Sequence, residues 1–153
     1  MEDSQLKTFI PMHVLVVDDD PTTVFVISEH LKHSGFSVET ASDGQLALAQ
    51  MEQRLPDLVI CDRLMPNLSG VDVLENIRQR GPEWQSVAFV FLTGLTDRRD
   101  RYAMMPLHPD GYLTKPVDFV KFDNSLSAAL TARKKRLMEQ ENPCADSSMQ
   151  MNT

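Results

Sequence analysis

Leu58-Val59-Ile60-Cys61-Asp62-Arg63-Leu64-Met65-Pro66-Asn67-Leu68-Ser69-Gly70 is the stretch on which the fold turns. Its first four residues are apolar without a break, as in a strand covered on both faces. The run ends on an acid and passes at once into a Pro/Gly loop. An ionised carboxylate at the exit of a buried strand is costly unless it is paired or bound to a cation. Asp62 is therefore a candidate for chemistry rather than for packing.

Working outward, Val14-Leu15-Val16-Val17 runs into Asp18-Asp19-Asp20 in the same way. Apolar runs at 13–17, 36–41, 57–62, 87–92 and 111–113 alternate with segments whose apolar residues fall at helical spacing, such as Val24, Ile27 and Leu31. Strands joined through helices imply right-handed crossovers. The expected fold is α/β, a doubly wound five-stranded parallel sheet with helices on both faces. Asp20-Pro21 and Asp43 supply helix starts, and His33-Ser34-Gly35 a stop. A last helix begins near Asp118, carries Phe119, Phe122, Leu126, Leu130 and Leu137 on one face, and ends at about Glu139 or Glu141. One domain is expected over 11–139, followed by a disordered polar tail over 140–153.

The totals narrow the function. A chain of 153 residues with 42% apolar and 24% charged residues suits one soluble globular domain. A net charge of −7 argues against direct nucleic-acid binding, which needs clustered Lys and Arg. The one basic run, Arg133-Lys134-Lys135-Arg136, is read as a solvated helix end. No apolar run is long enough to span a membrane and no signal region opens the chain, so the expected location is cytoplasmic. Cys61 is expected as a buried core thiol and Cys144 as an incidental one, and none of the four histidines is assigned a role.

In an open parallel sheet, ligands bind at the carboxyl ends of the strands. Asp18 and Asp19 leave the first strand, Asp62 the third and Thr93 the fourth, while Lys115 follows the fifth. Clustered carboxylates repel one another unless a cation neutralises them, and oxygen donors suit Mg2+ or Mn2+. Lys115 then offers a compact positive charge and Thr93 a hydroxyl donor to a phosphoryl group, with a carboxylate as nucleophile. Taken singly, Asp18 reads as a loop acid, Thr93 as a strand end and Lys115 as a surface lysine. Asp20 reads as a helix cap. Their joint placement makes the case.

With those residues in place, the chain resembles the receiver domain of two-component response regulators over roughly 11–132. The matching residues are Val16-Val17-Asp18-Asp19, Asp62 with Met65-Pro66 and Gly70, Phe91-Leu92-Thr93-Gly94, and Tyr112-Leu113-Thr114-Lys115-Pro116. The resemblance implies the flavodoxin-like strand order 2-1-3-4-5, and that Asp62 takes phosphate from a histidine kinase or phosphotransfer protein. It implies Mg2+ on Asp19, Asp62 and the backbone carbonyl of Leu64, with Asp18 acting mainly through metal-bound water. It further implies Thr93 and Tyr112 as switch residues, Lys115 as the phosphate's partner, and a cis Lys115–Pro116 bond. The output target is an unnamed protein, and the long last helix suits a homodimer. The only chemistry implied is self-phosphorylation and slow loss of the phosphate.

One segment departs from the family. Met104-Met105-Pro106-Leu107-His108-Pro109-Asp110 replaces the usual Ala/Gly-rich end of the fourth helix, and its prolines should stop that helix by about Met105. A short, irregular or mobile helix is expected there. The chief rival is a haloacid dehalogenase-like phosphatase, with Asp18-x-Asp20-x-Thr22 as its motif, Asp18 as nucleophile and Asp20 as general acid. It leaves Asp62 unexplained and lacks a later acidic strand. A pseudo-receiver that never takes phosphate is the third reading, opposed by the complete residue set. No effector domain is expected in the remaining residues, so the chain is expected to be either a stand-alone regulator or a receiver excised from a longer one, with Met1 and the polar tail mildly favouring the former.

Overall fold

Five parallel strands form one sheet in the order β2-β1-β3-β4-β5, as expected from the sequence. The computed structural model describes residues 11–94 and 105–141. The strands are β1 (His13–Val17), β2 (Ser37–Ala41), β3 (Leu58–Asp62), β4 (Ala88–Thr93) and β5 (Gly111–Thr114). The helices are α1 (Pro21–His33), α2 (Gly44–Gln53) and α3 (Gly70–Gln79), a single turn at Pro82–Gln85, and the C-terminal helix (Phe119–Glu141).

Side-chain alternation along the strands divides the core in two. Val14, Val16, Leu58, Ile60, Val90 and Leu92 face α1 and the C-terminal helix, where they meet Ile27, Leu31, Phe122 and Leu126. Leu15, Val17, Val59, Cys61, Phe89 and Phe91 face α2 and α3, meeting Ala47, Met51, Val73 and Leu74. β1, β3 and β4 are buried along their whole length, which is why they read as unbroken apolar runs. β2 at the sheet's edge is mostly half-buried and keeps polar Ser37, Glu39 and Thr40.

The helix starts follow their capping chemistry. Asp20 accepts from Thr22 N ahead of Pro21, and Asp43 accepts from Leu46 N. α3 begins with a capping box in which Ser69 and Asp72 satisfy each other's backbone N–H. Gly70 has a steric reason to be glycine: a Cβ there would be driven into the Asp62 carbonyl oxygen and would lie 3.0 Å from Arg63 Cα.

One expectation needs adjustment, and others gain detail. The basic run is not a solvated helix end: Arg133 pairs with Asp57 at 2.8 Å and Arg136 with Asp110 at 2.8 Å, leaving only Lys134 and Lys135 exposed. His13 is a buried residue whose backbone N–H donates to Asp57 Oδ2 at 2.7 Å, and His30 contacts Asp123 at 2.7 Å. The helix expected before Pro106 lies outside the described residues, and the chain re-enters them in a 3-10 turn at Met105–Leu107. The C-terminal helix ends at Glu141, one of the two ends expected for it and two residues past the expected boundary at 139, and residues 142–153 lie outside the described residues. No helix among the described residues is long and apolar enough to cross a membrane.

Candidate phosphoacceptor and metal site

Strand register brings the expected residues to one end of the sheet. Val17 lies beside Cys61, Asp62 beside Leu92, and Thr93 beside Thr114. The residues that leave these strands therefore converge. Asp18, Asp19 and Asp62 each present a carboxylate oxygen within 4.8 Å of the others.

Asp18 is 1% exposed, so it is not the solvated loop acid it resembles when read alone. Its Oδ1 accepts from Asp20 N at 2.9 Å, and its own N–H donates to Ala41 O at 3.1 Å, fixing the turn after β1. Its Oδ2 lies 2.9 Å from Lys115 Nζ, an ion pair out of line for a hydrogen bond. Asp19 is exposed, the solvent-facing member of the cluster. Asp62 is buried; its Oδ2 lies 3.4 Å from Lys115 Nζ, and its Oδ1 accepts a long 3.3 Å bond from Leu64 N. Leu64 thus sits beside the acid through its backbone while its side chain is exposed. Lys115 is aimed by its own N–H, which donates to Thr93 O at 2.8 Å, and the Lys115–Pro116 bond is cis.

Burial and the neighbouring Asp18 charge push the Asp62 carboxyl above its ordinary pKa, and Lys115 pulls it part of the way back. Burial alone would lower Lys115, but the contact with Asp18 and the charges of Asp62 and Asp18 outweigh it. Lys115 is therefore held above an ordinary lysine and stays an ammonium at neutral pH. Burial first, then Asp62 and Asp18, raise the Cys61 thiol far enough to keep it inert. Asp20 is held below the ordinary carboxylate range by the Thr23 hydroxyl and the Thr22 N–H. Its two oxygens are occupied by those donors, at 2.6 Å and 3.2 Å, so it works as a cap.

Thr93 is buried at the end of β4. Tyr112 is half-buried in β5 and stacks on Phe91, with centroids 6.1 Å apart at 20°. The structure brings Asp18, Asp19, Asp62 and Lys115 into one cluster and sets Thr93 at the same sheet end, with Tyr112 on the neighbouring strand. Sequence reasoning had no means to find the backbone donors Asp20 N and Leu64 N, because every residue other than proline carries one.

A profile described as the response regulator receiver domain matches residues 14–127. The chain is 37% identical over 105 residues to the alkaline phosphatase synthesis transcriptional regulatory protein PhoP of Bacillus subtilis, covering 67% of this chain and 42% of that protein. It spans less than half the length of PhoP and of comparable curated relatives. Among solved structures, a response regulator receiver domain protein from Clostridium thermocellum superposes with a TM-score of 0.73 at 33% identity, over 82% of this chain and 98% of that one. The chemotaxis protein CheY4 of Vibrio cholerae gives 0.74 at 27% identity, over 78% and 99%.

Proposed function

Because the chain belongs to the response regulator receiver family of two-component signalling, we propose that it is a phosphoacceptor switch whose acceptor is Asp62. The observation that carries this reading is a buried strand-end carboxylate within reach of both an ammonium and two further acids. One oxygen of Asp62 attacks the phosphorus of a phosphohistidine on a kinase or phosphotransfer protein. An O–P bond forms, the P–N bond breaks, and its electron pair leaves with the imidazole, which takes up a proton.

Lys115, kept charged by its two acidic neighbours, draws the incoming phosphoryl oxygens and takes them as its new partner. Thr93 donates its hydroxyl to the phosphoryl group, and Tyr112 repacks behind it against Phe91. The donor set fits a hard divalent cation, since three carboxylate oxygens crowd within 4.8 Å with one ammonium to balance them. Mg2+ or Mn2+ would be held by Asp19, Asp62 and the Leu64 carbonyl, with Asp18 acting through water. When bound, the cation offsets the negative charge gathered at phosphoryl transfer.

The phosphatase reading loses its machinery here, because Asp20 is spent on the α1 cap and Asp18 is buried against Lys115. A downstream protein partner, and pairing with a second copy, belong to the same proposal; direct nucleic-acid contact does not. The test is incubation with acetyl phosphate and Mg2+, then mapping of the labelled aspartate. Label on Asp62, lost in Asp62→Asn, is expected. Label on Asp18, or none at all, sinks the reading.

A further inference from the structure

The C-terminal helix is fastened in two different ways along its length. As far as Leu130 it is held by apolar packing, with Phe122, Leu126 and Ala129 in the core and Phe119 and Leu130 against it. From Arg133 onward the fastenings are mainly polar. Arg133 Nη2 meets Asp57 Oδ1 at 2.8 Å, Arg136 reaches Asp110, Ser86 O and Val87 O, and Gln140 Nε2 donates to Pro82 O at 3.1 Å. Leu137 is only half-buried and Met138 is exposed. On leaving, Arg133 and Arg136 would recover water and Asp110 would keep Phe89 N and Arg78, whereas lost apolar burial has no such substitute. The second half can thus leave the sheet while the core stays folded.

Asp110 is the hub of these fastenings. Its carboxylate accepts from Phe89 N at 2.9 Å, from Arg136 at 2.8 and 3.2 Å, and from Arg78 at 3.4 Å. Arg78 also donates to Gln85 O, Val87 O and His108 O, and His108 is one of two non-glycine residues with positive φ among the described residues, at 56°. Two routes lead from this hub to the acidic site. Arg78 lies in the last turn of α3, whose first residue, Gly70, packs on the Asp62 carbonyl. Asp110 itself leads into β5, which carries Tyr112 and runs into Lys115.

We propose that residues 133–141 are a releasable strap, latched to the base of the sheet by the Arg78–Asp110–Arg136 hub and opened when a phosphoryl group occupies Asp62. The inference rests on Asp62 being the phosphoacceptor. The closed latch accompanies Lys115 on Asp18 and Asp62. A group that takes Lys115 for itself shifts the start of α3 and the end of β5, and both shifts reach the hub. Opening frees Arg133 and Arg136 beside the already exposed Lys134 and Lys135.

The experiment uses the full chain in Mg2+, with and without beryllofluoride, a phosphoryl mimic. Bound fluoride is read by 19F NMR, and backbone hydrogen exchange is read over residues 131–141. Exchange there should quicken at least about fivefold on binding, while that of β1, β3 and β4 stays put. Arg136→Met should be fast in both states and, because coupling is reciprocal, should bind beryllofluoride several-fold more tightly, with Arg136→Lys returning part of the difference. A bound fluoride signal with unchanged exchange in the wild type overturns the strap alone. Absence of any bound signal overturns the strap together with the phosphoacceptor reading. The wild-type comparison needs no variant, so a poorly folding Arg136→Met cannot shelter the idea.

Discussion

Asp62 carries two opposed influences that single substitutions can separate. Burial and Asp18 raise its pKa and Lys115 lowers it. In metal-free protein, Asp18→Asn should bring the Asp62 carboxyl back toward its ordinary value, and Lys115→Met should raise it further. Carboxyl 13C titration reads both, and a fall in Lys115→Met would contradict the assignment of causes. A second residue-scale test concerns Gly70, whose missing side chain lets α3 start against the Asp62 carbonyl. Gly70→Ala should cost about 1–3 kcal/mol of stability by overpacking, seen as a lower urea midpoint. The same substitution at Gly81, where a Cβ would meet nothing within 4 Å, is the control.

Among elements, the C-terminal helix departs most from its sequence reading. Its apolar stripe was legible because spacing alone gives the buried face, and Phe122 and Leu126 are in the core. The role of Arg133 and Arg136 was not. Four consecutive basic residues look alike in sequence, and only tertiary placement of Asp57 and Asp110 shows which two turn inward. The strands were legible because those buried on both faces leave unbroken apolar runs. The acidic site followed from strand ends, which a parallel sheet gathers by topology. His13 was opaque, since its place depends on Asp57, which is 44 residues away. The hub makes a strong element-scale prediction. Asp110 is 6% exposed and two arginines depend on it, so Asp110→Ala should cost about 3–5 kcal/mol, well above a surface ion pair. Ser69→Ala, which removes half of the α3 capping box, should cost only about 1 kcal/mol. Chemical denaturation ranks the two, and equal losses would mean the hub is an ordinary surface network.

At the scale of the whole molecule, the acidic site is a cost to folding that a cation can offset. The folded pKa of Asp62 is raised, so its folded form binds the proton more tightly than the unfolded chain does. Its contribution to stability is present below the unfolded value of about 3.9 and is lost as pH rises through the folded value. At neutral pH the wild type carries that penalty in full. Asp62→Asn removes it and should be more stable than wild type in chelator. The advantage should vanish below about pH 3.5, where both forms are neutral. Mg2+ reverses the order, because a ligand at one hundred times its Kd adds about 2.7 kcal/mol to the form that binds it. Wild type should therefore gain several degrees in Tm on addition of Mg2+ and overtake Asp62→Asn, which has lost a ligand. Thermal unfolding of both proteins, in chelator and in Mg2+, shows whether the curves cross. If they keep one order, the three carboxylates do not act together as a cation site.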